Sequence, residues 1–137
     1  IRIQMLKSAI ADNPKFELCD IEIGMEPPQF TVNTLGILQQ KYAEQKFVLI
    51  LGSDNIEGFK RWKDYHKILQ MVEIYVYPRN DSIVSEFYNH PSVKLISAPR
   101  IDISSTAIRS SIRNGQSIRY LLHPGVYEFI TETGLYS

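Results

Sequence analysis

The sequence predicts an α/β protein: an open, mainly parallel sheet with flanking helices and a C-terminal helical segment. Three observations carry this. Segments of strand length alternate along the chain with segments of helical period. Phe47-Val-Leu-Ile-Leu51 is a continuous apolar run of the kind a parallel sheet buries on both faces. Gly52-Ser53-Asp54-Asn55 follows at once, so a helix is expected to open at the carboxyl end of that strand.

Taken in order, Ile1 to Ala11 reads as a helix, with Ile3, Leu6 and Ile10 on one face. Asp12-Asn13-Pro14 ends it, because the residue before a proline avoids the helical region. Phe16 to Ile23 reads as a half-buried strand, since Cys19, Ile21 and Ile23 alternate with Asp20 and Glu22. Pro27-Pro28 breaks the chain, and Thr31 to Tyr42 follows as a helix with a Val32, Leu35, Leu38, Tyr42 stripe. With the strand Lys46–Leu51 this makes a strand–helix–strand crossover. Trp62, Tyr65, Leu69 and Val72 form the next helical stripe, and Ile74 to Tyr77 is a strand stopped by Pro78. Asn80-Asp81-Ser82 is the expected mobile turn, and Val93 to Ser97 a fourth, short strand. Ser104 to Asn114 is a helix ended by Gly115, and Ser117 to Leu122 a short helical turn. A last helix starts at Pro124 and ends at Gly134.

Composition narrows the function. Lys plus Arg is 15 and Asp plus Glu is 15, which excludes a polybasic nucleic-acid arm and an acidic solvating tail. At 44% apolar residues the chain has enough material for a core. No apolar run approaches the ~20 residues of a membrane span. The one cysteine, Cys19, excludes a disulfide framework, suits a reducing compartment and is expected to be a small core residue. The chain begins at Ile1 within a helical pattern and so reads as part of a longer protein.

The strongest chemical signal is Ile103-Ser104-Ser105-Thr106-Ala107-Ile108-Arg109. Hydroxyls at a helix start, free N–H groups and the helix dipole together make an anion site. Arg109 follows Ser105 by four residues, so the two share a ridge that Arg113 continues. The competing reading is a plain N-cap with Arg109 solvated, and spacing alone does not separate the two. Gly52-Ser53-Asp54 is the second signal. Asp54 can cap a helix or bind a ligand, and capping is the commoner role. Trp62 heads an apolar stripe, which favours core over ligand stacking. Lys60-Arg61-Trp62-Lys63 reads as a solvated face. His66, His90 and His123 have no metal-ligand spacing. P-loop, G-x-G-x-x-G and G-x-S-x-G motifs are absent, which leaves a dinucleotide oxidoreductase or a serine hydrolase without support.

Together these segments resemble bacterial nicotinate-nucleotide adenylyltransferase, of the nucleotidyltransferase superfamily. Phe30-Thr31-Val-Asn-Thr34-Leu35 is similar to its T-x-x-T-L segment. Leu51-Gly52-Ser53-Asp54-Asn55 with Phe59-Lys-Arg-Trp62 is similar to its G-x-D…F-x-x-W segment. Val76-Tyr-Pro-Arg79 resembles its strand ending in arginine, and Ile103–Arg109 its I-S-S-T-x-I-R motif, which the superfamily shares. Ile118-Arg-Tyr-Leu121, Pro124 and Gly134-Leu-Tyr136 resemble its C-terminal end. The family opens with a strand and a histidine-bearing Gly-rich loop that this sequence does not display. Many members also carry an aromatic residue where Lys63 stands.

The resemblance implies one Rossmann-like nucleotidyltransferase domain over residues 1–137, lacking its N-terminal strand, loop and helix and inactive without them. It implies AMP transfer from ATP to nicotinate mononucleotide, with Mg²⁺ accompanying ATP, in the cytoplasm, with neither nucleic acid nor membrane as partner. It implies that Trp62 stacks on the pyridine ring and that Thr31 and Lys63 bring backbone amides to its carboxylate. Gly52 and Asp54 would line the same pocket, with Arg79 near the nucleotide phosphate. Ser104, Ser105 and Arg109 would hold ATP, Arg109 as the catalytic cation. The alternatives are pantetheine-phosphate adenylyltransferase, a non-catalytic relic, and a helix-turn-helix drawn from Ser104–Asn114 and Ser117–Leu122.

Overall fold

The computed structural model describes residues 1–79 and 84–137, so the expected turn at Asn80-Asp81-Ser82 lies outside the described residues. In chain order the described elements are α1 (Arg2–Ile10), α2 (Thr31–Lys41), β1 (Val48–Gly52), α3 (Ser53–Glu57), α4 (Tyr65–Met71), β2 (Glu73–Tyr77), β3 (Val93–Leu95), α5 (Ser105–Arg113) and α6 (Pro124–Thr133). Short 3₁₀ turns occupy Ile21–Gly24, Phe59–Arg61 and Glu86–Asn89. The chain divides into two compact units, Ile21–Ile101 and a second made of Ile1–Asp20 with Asp102–Ser137. Among the described residues no helix is long and apolar enough to cross a membrane.

The first unit is built on a parallel sheet in the order β1-β2-β3. Its inner face carries Leu51, Ile74, Val76 and Val93, which pack with Val32 and Leu35 of α2 and Ile68 and Leu69 of α4. Each such side chain contributes about 1.5–3 kcal/mol when fully removed from water. Phe59 and Ile56, both fully buried, close the layer beneath. The Phe59 ring lies 5.3 Å from Phe87, 5.4 Å from Trp62 and 5.8 Å from Tyr65. On the sheet, Glu73 pairs with Lys94 at 3.1 Å and Lys46 at 3.6 Å. The Lys94 hydrogen bond, and then the Lys46 charge, hold its carboxyl below the usual value against the effect of burial. Because that value is depressed, the contribution is present above the ordinary carboxylate range and is lost as pH falls through the lowered one.

The second unit packs α1, α5 and α6 around Ile118, Val126 and Ile130. His123 joins α6 to the turn after α1: its Nδ1 accepts from Gly125 N at 3.3 Å, capping α6, while Nε2 meets Asp12 Oδ2 at 3.3 Å. Gly134 ends α6 at φ 63° and Gly115 follows α5 at φ 67°, the left-handed turns expected of both glycines.

Five expectations are corrected. Phe16 to Ile23 is not a strand, so the crossover it was to open does not form: 17–20 are irregular and Ile21–Gly24 is a 3₁₀ turn. Alternation marks a strand only where a neighbour supplies backbone partners, and among the described residues no strand pairs with this segment. Phe16 and Ile23 stay 62% and 63% exposed, and Cys19 is exposed rather than core. β1 is buried on one face only, with Ile50 68% exposed. In α1 the packed residues are Met5 and Ala9, not Ile3 and Leu6. Small side chains there let α6 approach: a Cβ on Gly125 would sit 3.4 Å from Ser8 Cβ. Trp62 does not belong to α4, because Asp64, left-handed at φ 50°, separates them. Ser117–Leu122 is the short turn expected, closed by Leu121 N–H to Ile118 C=O at 3.0 Å, and the alternative that needed it as the second helix of a helix-turn-helix is not supported.

Phe59 is the keystone of the ring cluster. Phe59→Ala is expected to cost about 3–5 kcal/mol in urea unfolding. A loss below about 1 kcal/mol would show that the cluster collapses around the gap.

Candidate active site

The strand ends of the first unit gather the first group of predicted residues. β1 ends at Gly52, paired in register with Tyr77 at the end of β2. Gly52 is also the N-cap of α3, and no side chain caps that helix. The expected Ser/Asp/Asn cap is therefore absent, and those side chains are spent otherwise. Ser53 is 1% exposed and its Oγ accepts from Arg79 N at 3.0 Å. Asp54 Oδ2 accepts from Arg79 Nη1 at 3.2 Å, so the carboxylate pairs with the predicted phosphate-facing arginine and does not cap. Both side chains are about half exposed, so the pair adds at most about 1 kcal/mol of stability. Its effect is to aim the guanidinium.

Arg79 is held by its backbone as well. Its carbonyl accepts from Arg100 Nη2 at 3.0 Å. The chain around Arg100 is pinned in turn by Tyr77, whose hydroxyl donates to Pro99 O at 2.6 Å and accepts from Ile101 N at 3.2 Å. Gly52 is required at this junction by space. Its φ of −73° suits any residue, but a Cβ would collide with Asp54 Oδ1 and come within 2.9 Å of Arg79 Cδ.

A cleft of about 260 Å³ gathers the second group: Thr31, Trp62 and Lys63, with Gln29, Phe30 and Arg61. Thr31 is the first residue of α2, so its N–H lies ahead of any intrahelical acceptor. Phe30 is the extended N-cap, and Thr34 fixes the approach by donating to Glu22 Oε1 at 2.8 Å. Trp62 is half-buried, packed on Phe59 with its flank in the cleft, so it serves core and cleft together. Lys63 Nζ rests 4.5 Å from the Phe30 ring centroid. Among the described residues the cleft lining has no acidic side chain. A second hollow of about 410 Å³ beside Tyr65, Phe87 and His90 differs in this: its cation, Lys60, is paired with Glu86 at 2.7 Å.

The second unit carries the serine-rich helix start. Ser104 Oγ accepts from Ala107 N at 3.1 Å and Ser104 C=O from Ile108 N at 3.0 Å. Ser104 is thus the N-cap, the plainer of the two readings for that residue. Ser105 is exposed, and its N–H and that of Thr106 lie in the first turn without intrahelical acceptors. Arg109 is half-buried and folds back toward this turn, donating from Nη2 to Thr106 Oγ1 at 3.4 Å.

Sequence reasoning missed Ser53, Phe30, Tyr77 and Arg100. A serine between buried Leu51 and Ile56, and an aromatic residue before a helix start, were the available signals for the first two. Nothing local marks Tyr77 or Arg100, whose partners are 21 to 24 residues away. Among the described residues no group of three His, Cys, Asp or Glu side chains is placed to hold a metal ion.

Comparison with known proteins accords with this geometry. Residues 1–111 match the cytidylyltransferase-like family model. The chain is 43% identical over 136 residues to a probable nicotinate-nucleotide adenylyltransferase of Cytophaga hutchinsonii, covering 99% of this chain and 71% of that protein. It is 42% identical over 137 residues to the Flavobacterium psychrophilum protein of the same name, covering 98% of this chain and 71% of the relative. In fold it is similar to Plasmodium falciparum nicotinic acid mononucleotide adenylyltransferase complexed with APC, with a TM-score of 0.78 at 23% identity, covering 98% of this chain and 74% of the other. The chain belongs to the nicotinate-nucleotide adenylyltransferase family, within the cytidylyltransferase-like nucleotidyltransferases.

Proposed function

We propose that the protein transfers AMP from ATP to nicotinate mononucleotide, a step of NAD biosynthesis. The observation that carries this is the Trp62 cleft, which sets a flat aromatic wall beside unsatisfied helix amides and cationic side chains with no acid among its described lining. Such a site suits a planar ring bearing an anion. The identity to relatives of that name over nearly the whole chain supports the same substrate. The fold likeness to a protein complexed with NaAD agrees. The family resemblance supports a cytoplasmic setting for the reaction.

In this reading the pyridine ring lies on Trp62 and its carboxylate takes the N–H groups of Thr31 and Lys63. Asp54 and Gly52 border the site, and Arg79 neutralises the nucleotide phosphate. An oxygen of that phosphate forms a bond to the α-phosphorus of ATP, the bond from that phosphorus to the bridging β-oxygen breaks, and pyrophosphate leaves with the electron pair. No protein nucleophile is needed, so the work is positioning and charge neutralisation. The N–H groups of Ser105 and Thr106 and the Arg109 guanidinium are the donors offered to ATP, with Ser104 holding the helix start in shape. Mg²⁺ would accompany ATP, as the family resemblance implies, and would add charge neutralisation on the phosphates to that of Arg79 and Arg109. No step is assigned to it.

Pyrophosphate release in full-length protein supplied with ATP and nicotinate mononucleotide tests the reading; 4′-phosphopantetheine is the control. Turnover of the control alone would refute it. Trp62→Ala is expected to raise KM for the mononucleotide about 5- to 150-fold, the equivalent of ~1–3 kcal/mol of stacking, with KM for ATP moving less. Arg109→Lys, which keeps charge but loses the planar fork, is expected to lower kcat about 10²-fold or more with little change in Tm. Near-normal kcat would leave Arg109 a surface residue. Gly52→Ala keeps an allowed backbone but drives Asp54 and Arg79 apart, so KM for the mononucleotide should rise about tenfold in a protein that still folds.

A further inference from the structure

We propose that the Lys63 side chain, beyond its backbone amide, is a specificity-determining residue that selects an acidic over an amide substituent on the ring held by Trp62. The inference rests on the mononucleotide reading of that cleft. The Lys63 ammonium sits over Phe30, and both residues line the cleft with Trp62 and Thr31. Phe30 is the N-cap of α2, so the ring under the ammonium is joined directly to the first helical amide. Two sources of positive potential therefore meet at one edge of the cleft, the ammonium and the helix start.

The ammonium is available. Lys60, Lys67, Lys46 and Lys94 each have a carboxylate within 3.6 Å, whereas among the described residues Lys63 has none. Its neighbour is an aromatic face, which attracts a cation more weakly than a carboxylate does at a half-solvated site. An incoming anion can draw the ammonium across without breaking an ion pair. Arg61 lines the same cleft, but its guanidinium lies against Gly58, where a Cβ would fall 2.9 Å from Nη2. Lys63 is the cation turned toward Phe30 and the helix start.

The acid and amide forms of the ring are nearly isosteric and differ by one charge. Shape in the Trp62 cleft cannot separate them well, whereas a cation favours only the acid. Two backbone N–H groups already favour the carboxylate, which offers two acceptor oxygens where the amide offers one, and the ammonium adds a full charge to that preference.

The test compares kcat/KM for nicotinate mononucleotide and nicotinamide mononucleotide in full-length wild type, Lys63→Met and Lys63→Arg. Methionine keeps an unbranched stem without the charge, and arginine keeps the charge. Lys63→Met is expected to lower the acid-to-amide ratio about tenfold, through KM for the acid, leaving kcat and the KM values for the amide and ATP in place. Lys63→Arg should retain most of the ratio. The wild-type ratio should also fall as NaCl rises from about 0.05 to 0.5 M, and that of Lys63→Met should not. A Lys63→Met ratio within twofold of wild type would overturn the proposal and place selectivity in the backbone. Parallel rises in all KM values with a lowered Tm would overturn it as a packing effect. Wild type that turns over neither mononucleotide refutes the substrate reading, and this inference with it; wild type that turns over the acid while Lys63→Met keeps its selectivity refutes the inference alone.

Discussion

The close approach of two parallel strand ends at Gly52 is the constraint on which the first unit's chemistry depends. Gly52 and Tyr77 are register partners, and just beyond them Asp54 and Arg79 must occupy the space a Cβ would fill. A parallel sheet leaves its carboxyl ends pointing the same way, so the residues that follow each strand are brought together whatever their separation in sequence. Here Ser53 accepts the Arg79 N–H, Asp54 the guanidinium, and Arg100 donates to the Arg79 carbonyl. A side chain half exposed to water is thereby given a defined direction without relying on ion-pair energy.

Trp62 shows how packing and binding share one residue. A tryptophan free in a loop would lose rotamer entropy when a ligand stacked on it. Set 5.4 Å from buried Phe59 after a 3₁₀ turn, its indole is already oriented before a ligand arrives. Asp64 takes the left-handed conformation immediately afterwards, separating Lys63 from α4 and leaving it on the cleft side. The buried ring cluster thus holds the cleft wall as well as the core.

The serine-rich segment of the second unit divides its labour by position. Ser104 satisfies the first-turn amide of Ala107 with its own hydroxyl, which fixes the helix start. The amides of Ser105 and Thr106 are left facing outward, and Arg109 returns toward them from one turn later. Capping and anion binding, which compete as readings of the motif, are therefore compatible: the cap orders the very turn that presents the free donors.

Much of this was legible in the chain. β1, β2 and β3, the helices at 31–41, 105–113 and 124–133, and the left-handed glycines at 115 and 134 follow from local pattern, because periodicity, caps and turn chemistry act within a few residues. The segments carrying Thr31, Gly52, Asp54, Trp62, Arg79 and Arg109 were likewise recognisable by their order along the sequence. What tertiary structure alone decided is who meets whom. The alternating segment after Pro14 stays irregular because no described strand pairs with it, and α1 packs through Met5 and Ala9 because those face Ile118, Val126 and Ile130, with Gly125 leaving room for Ser8. Asp54 finds Arg79 and leaves its helix uncapped, while Tyr77 and Arg100 pin a strand end from more than twenty residues away. Local rules set what each segment can be; contacts between distant segments, fixed by burial and by the register of a parallel sheet, set which side chains share a site.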